Sequence, residues 1–184
     1  TLSTKKIRSI PPLVTAHKVN QQILKVSHKN AKKAIEFENE DLLEEAKSKM
    51  KKYYPAMASN FALNWDMAFC KAAGDCKDYL KATAAYAKKE AKGQPDELID
   101  LAEQVQKSFP KDAKAQKLAE DLAEQAVNKG ESYKYSYVFA NILLKNGKKT
   151  EALKVAKNSL SIAEAQGAKA DMRQIQKLID RIEI

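Results

Sequence analysis

Two thiols and two imidazoles are the side chains of this chain with the most chemistry to offer. Cys70 and Cys76 are its only cysteines and stand six residues apart across Gly74-Asp75. That is not the CxxC spacing of a dithiol redox centre, and no histidine lies nearby in sequence to activate either thiol. Two structural readings remain. One is a disulfide stapling one helix to the next, which needs an oxidising compartment and a Cα separation of about 4.4–6.8 Å. The other is a pair of buried, reduced thiols. His17 and His28 are eleven residues apart, which puts them on the same face of one helix. Three turns separate them by ~16 Å, too far to share one metal. No acidic or thiol side chain stands between them at ligand spacing, so two surface histidines and no metal site are expected.

The carboxylates tell a similar story. Glu120, Asp121 and Glu124 fall among lysines at i,i+3 and i,i+4 spacing, the sign of solvated helix faces. No Ser-His-Asp order, phosphate loop or glycine-rich turn is present. The sequence therefore reads as neither an enzyme nor a cofactor carrier, and its chemistry has to be that of contact.

What positions such contacts is a series of helices. The best-defined unit is Tyr133 to Gln166, YKYSYVFANILLKNGKKTEALKVAKNSLSIAEAQ. Tyr133, Tyr137, Ala140, Leu143 and Leu144 recur every three or four residues, behind Ser132 as N-cap. Asn146-Gly147 ends that helix. A second opens at Lys149 or Thr150, with Ala152, Leu153, Ala156, Leu160 and Ala163 on one face, and ends at Gly167. So short a turn makes the two antiparallel. Ala140, Ala152, Ala156 and Ser159 are small enough for the two backbones to approach closely.

The rest of the chain follows the same grammar. Residues 1–10 have no period and read as a tether, and 11–184 as one all-helical domain. Helices are expected over Pro12–Phe37, after Asn39 to about Tyr53, Pro55–Ala73, after the Gly74-Asp75 turn to about Lys92, Pro95–Ser108, Asp112–Asn128 and Ala170–Ile184, besides the central hairpin. That makes about nine helices and no strand. The first helix should bury Leu13, Ala16, Val19, Ile23, Val26 and Ala34. The second should bury Leu42, Leu43, Ala46, Met50 and Tyr53. The third carries Met57, Phe61, Ala62, Trp65, Ala68 and Phe69, and as the most apolar and aromatic stretch it is expected near the centre of the core. Breaks at Gly74, Pro110 and Gly147 space the pairs at roughly 35 to 40 residues.

Composition bounds the rest. The 184 residues include only five glycines and five prolines and carry a formal net charge of +9. Residues 1–60 hold 12 Lys and Arg against 6 Asp and Glu, and the other 124 hold 21 against 18. Nucleic acid or an anionic surface, bound through the basic N-terminal third, is the sharper reading of that excess. But only one of the N-terminal cations is arginine and no aromatics are interleaved for base stacking, so a solvated lysine-rich surface is expected first. No apolar run approaches the roughly twenty residues of a membrane span. The chain starts Thr1-Leu2-Ser3, without an initiator methionine or a signal-peptide core, so it reads as a processed protein or a piece of a longer one.

Two resemblances add to this. The turn glycine Gly147, Ala152 five residues later and the small residues at the crossing resemble the tetratricopeptide repeat, although Ser136 stands where that family prefers tryptophan and Leu143 where it prefers tyrosine. The fold implied is antiparallel helical pairs in a right-handed superhelix, or else an irregular bundle, with the last helix as a cap. In such an array the first helix of each pair lines a concave groove. Lys134, Tyr137, Asn141 and Lys145 would then face it, two cations, an amide and a phenol suited to an acidic peptide or a C-terminal carboxylate. More widely, Tyr79-Leu80, Tyr86, LIDLAEQVQKSFPKD, KLAEDLAEQAV and the central hairpin resemble the helical tail of certain secreted bacterial thioredoxin-family proteins, over about half the chain. That resemblance implies an exported, periplasmic accessory domain whose redox part is absent here, since the chain has no CxxC. The expected function is a non-catalytic protein-interaction or scaffolding module with an unidentified protein or peptide partner. The alternative is an accessory domain of a thiol-disulfide protein.

Overall fold

The computed structural model describes residues 12–184, with side chains from His17 onward except those of Cys76 and Ala170. The expected tether at residues 1–10, and the side chains of Leu13 and Ala16, lie outside the described residues. Within them the chain is all-α. Nine helices follow one another: α1 (Pro12–Glu36), α2 (Glu40–Tyr53), α3 (Pro55–Ala72), α4 (Cys76–Lys89), α5 (Pro95–Ser108), α6 (Ala113–Lys129), α7 (Tyr133–Lys145), α8 (Lys149–Ala165) and α9 (Lys169–Glu183). They gather into two compact units, residues 1–73 and 74–184.

Local chemistry sets the ends of these helices. Asn39, Asp75, Asp112 and Ser132 each accept a backbone N–H in the first turn that follows, so each satisfies a donor the helix itself cannot. Pro55 and Pro95 open α3 and α5, where a missing N–H costs nothing. At the other ends, α7 and α8 close in the same way. Gly147 N–H donates to Leu144 and Lys148 N–H to Leu143, while Gly167 donates to Glu164 and Ala168 to Ala163. Both are Schellman closures, and they need the left-handed φ of 81° and 68° that glycine adopts freely. The end of α1 repeats the closure with Glu38 at φ 50°.

In the first unit α1, α2 and α3 pack around Ala31, Ala34, Leu43, Ala46, Met50 and Phe61. Three expectations need correcting here. Val19 and Val26 are exposed rather than inward, because the buried face of α1 is set by Ser27, Ala31 and Ala34, a quarter-turn round the helix. Tyr53 is exposed as well, with the Lys52 ammonium 4.9 Å from its ring centre. Third, α3 is not central. Phe61 is its one fully buried side chain, and Met57, Trp65 and Phe69 are half-buried against the cluster. An apolar composition makes a helix insoluble on its own without deciding how many sides it covers.

The second unit is a run of pairs. Helices α5 and α6 form one hairpin, α7 and α8 the next, and α9 packs on α8. The helices that open these pairs begin at Pro95, Tyr133 and Lys169, so the repeat is 38 and then 36 residues. They also touch one another, α5 against α7 and α7 against α9, and form one row. The small residues do what their size suggests. Ala140, Ala152, Ala156 and Ser159 are fully buried at the α7–α8 crossing, where the Ser159 hydroxyl donates to the Tyr133 carbonyl at 2.7 Å. Ile175, Leu178, Ile179 and Ile182 make one buried stripe of α9 against this core.

Candidate functional site

The four residues expected to face a groove lie along one side of α7, and α9 runs beside that side. A cleft of about 260 Å³ opens between the two helices. Lys134, Tyr137, Tyr133 and Val138 line it from α7, and Asp171, Gln174 and Ile175 from α9. Two of the four expected residues, Lys134 and Tyr137, are therefore brought together there.

The other two are placed differently. Asn141 is engaged on both ends of its amide: Nδ2 donates to the Tyr137 carbonyl at 2.9 Å and Oδ1 accepts from Arg181 Nη2 of α9 at 2.9 Å. Lys145 sits in the last turn of α7, exposed and outside the residues that line the cleft. Eleven residues of helix separate it from Lys134, ~16 Å.

Among the members the cleft gains beyond the four expected residues are Tyr133 and Asp171. Tyr133 packs against the core as its place in the stripe predicts, and its hydroxyl also donates to Asp171 Oδ2 at 2.7 Å across the mouth. That bond, more than burial, raises the phenol's pKa above its ordinary value of 10.0. The Lys134 ammonium lies 6.0 Å from the Tyr133 ring centre, at the edge of cation–π range. Asp171 carries no signal in the sequence, since its role depends on how α9 is set against α7. Gly167 and the direction of the α9 stripe were the clues available. The result is an apolar floor of Val138 and Ile175 beneath a phenol, an amide and a cation, with one carboxylate already engaged by a tyrosine.

On the far side of α7 a polar seam joins the two hairpins. Asn146 accepts from Gln106 Nε2 at 3.2 Å and donates to Glu120 Oε1 at 2.9 Å, and Lys148 pairs with the other Glu120 oxygen at 2.5 Å. Tyr135 donates to Asp96 at 2.7 Å. These bonds fix the register of one pair on the next and leave little free to hold a ligand.

His28 accepts a hydrogen bond at Nδ1 from the Trp65 indole N–H at 2.9 Å, and His17 pairs with Gln21 on its own helix. Among the described residues no three His, Cys, Asp or Glu side chains are grouped so as to hold a metal ion. Cys70 is half-buried near the end of α3. The Cys70–Cys76 pairing involves a Cys76 side chain that lies outside the described residues.

No protein-family model matches the chain, and no curated protein matches it. The two resemblances thus rest on their residues alone. No helix among the described residues is long and apolar enough to cross a membrane.

Proposed function

We infer that the chain is a non-catalytic interaction module, a helical repeat of tetratricopeptide type, that holds an extended peptide on the row formed by its pair-opening helices. The observation that carries this reading is the α7–α9 cleft. It offers an apolar floor for one side chain, and Lys134 with Tyr137 to receive a carboxylate. The 36–38-residue repeat and the small-residue crossing of α7 and α8 fit such an array. The test is a display library of peptides with free C-terminal carboxylates, screened against the purified chain. Lys134→Ala and Tyr137→Ala should each weaken the selected peptides about tenfold or more, the worth of a charge-assisted hydrogen bond. Selected peptides indifferent to both changes would remove the cleft from the reading.

A second reading is that the chain is the helical accessory part of an exported thioredoxin-family protein. One observation favours it: the stretch that carries that resemblance, residues 79–167, falls wholly within the second compact unit. A CxxC-bearing domain encoded upstream of Thr1 would favour it further. A leader peptide alone would leave the first reading in possession.

A further inference from the structure

The charge of this molecule is almost all in one place. The first 35 residues carry eight Lys and Arg and no Asp or Glu, while the other 149 carry 25 against 24. Within that stretch α1 contributes Lys18, Lys25, Lys29, Lys32 and Lys33, all exposed. Only Lys32 has an acidic partner among the described residues, Glu36 at 4.0 Å. Four of the six acids of the α1–α2 hairpin, Glu36, Glu38, Glu40 and Asp41, gather at its turn, and the other two, Glu44 and Glu45, pair with Lys47 and Lys49 of α2, so the helix from Lys18 to Lys33 carries no acid of its own.

Apolar residues that the core does not use run beside those lysines. Val19 is 49 % exposed, Val26 42 % and Phe37, at the C-cap, 69 %. At 3.6 residues per turn the three fall within about 20° of one line along the helix. Lys18, Lys25, Lys29 and Lys32 form a second line about 100° round from it, and exposed Lys33 stands beside the apolar line, between Val26 and Phe37. The remaining side of α1 carries Ser27, Ala31 and Ala34 into the core. The exposed side is thus a convex ridge, apolar along one edge and cationic along the next.

We propose that this ridge of α1 docks the protein on an anionic lipid surface. Convexity suits a deformable headgroup layer. The two valines enter the acyl boundary, and the lysine stems lie along it with their ammonium groups among the phosphates, while Phe37, set among Glu36, Glu38, Glu40 and Asp41, stays at the edge of the contact. A second copy of the chain is disfavoured, because it would set one lysine row against another. Nucleic acid would answer the charge but leave the apolar line against water or phosphate. This docking is independent of the α7–α9 cleft.

The experiment is co-sedimentation of the full chain with vesicles of phosphatidylcholine alone, and of phosphatidylcholine mixed with phosphatidylglycerol. Binding to the anionic vesicles only is expected, and it should weaken with added salt. Changing Lys18, Lys25 and Lys29 together to glutamine should reduce it roughly a hundredfold, at about 1 kcal/mol for each surface lysine. V19S/V26S, which leaves the charge unchanged, should reduce it about fivefold to tenfold, since partly exposed valines lose their burial in lipid. All of these positions are exposed, and unchanged helical circular dichroism shows that each variant is folded. Absence of binding to the anionic vesicles overturns the proposal. So does binding that V19S/V26S leaves intact while duplex DNA is bound as tightly, which would mark a general polyanion surface.

Discussion

Single residues fix where these helices begin and end, and one of them does so at a cost. Glu38 occupies the left-handed position that closes α1, at φ 50°, where Gly147 and Gly167 stand in the two matching closures. A side chain with a Cβ loses roughly 1–2 kcal/mol there. Glu38→Gly is therefore expected to stabilise the first unit by about 1 kcal/mol, read as a shift in the urea midpoint. The gain falls short of the full strain because glycine also loosens the unfolded chain. Its neighbour works the other way. Asn39 accepts the Leu42 N–H at 2.9 Å, and Asn39→Ala should cost about 1 kcal/mol in the same assay. Tyr133 adds a pH dependence. Its hydroxyl must stay protonated to donate to Asp171, and so its pKa is raised. The bond's contribution is complete below the ordinary tyrosine value and is lost as pH rises through the higher folded one. Tyr135 behaves likewise through Asp96. In alkaline denaturation series the Tyr133→Phe, Tyr135→Phe double variant should lose less stability above about pH 10 than the parent.

At the scale of elements, the α7–α8 hairpin depends on small side chains where the two helices cross. Ala140 and Ala156 have no exposed surface. Ala156→Leu would force the helices apart and should cost about 1–3 kcal/mol in thermal or chemical unfolding, while exposed Lys157→Leu should be nearly neutral. This hairpin was the most legible part of the sequence, and for a physical reason. Its caps, its glycine and its stripe all act within one or two turns of chain. The helix bounds elsewhere were legible on the same grounds, through Asn39, Pro55, Pro95 and Asp112. What escaped was anything that depends on a partner element. Val19 and Val26 satisfy the periodicity of an inward face as well as Ile23 does, but the setting of α2 and α3 puts a different side of α1 inward. Trp65 and Phe69 promised a central helix, yet α3 is covered by its neighbours over only part of its girth. Half of the candidate site was legible. Lys134 and Tyr137 follow from the register of α7 alone, whereas Asp171 and the engagement of Asn141 by Arg181 require the placement of α9.

For the whole molecule, the division at Ala73 and Gly74 is the main fact. Helices α4 to α9 possess their own apolar interior, from Tyr79 and Leu98 through Leu122 and Leu143 to Ile182. A fragment of residues 74–184 is accordingly expected to fold alone, with strong helical circular dichroism and a single cooperative melt. A fragment that is unstructured, or that melts without a transition, would show that this interior is insufficient by itself. The same fragment omits the basic first 35 residues, so it should also fail to sediment with anionic vesicles while keeping any peptide affinity that depends on Lys134.

The one tryptophan of the chain has an optical consequence. Trp65 lies in the first unit, with its indole N–H on His28 and its ring 6.3 Å from that of Phe61. Five of the seven tyrosines lie in the second: Tyr79, Tyr86, Tyr133, Tyr135 and Tyr137. Indole emission excited at the red edge is therefore a local gauge of α1–α3, blind to the state of the repeat hairpins. His28→Ala, which takes the indole's acceptor away, should shift the emission in that channel with the hairpins intact.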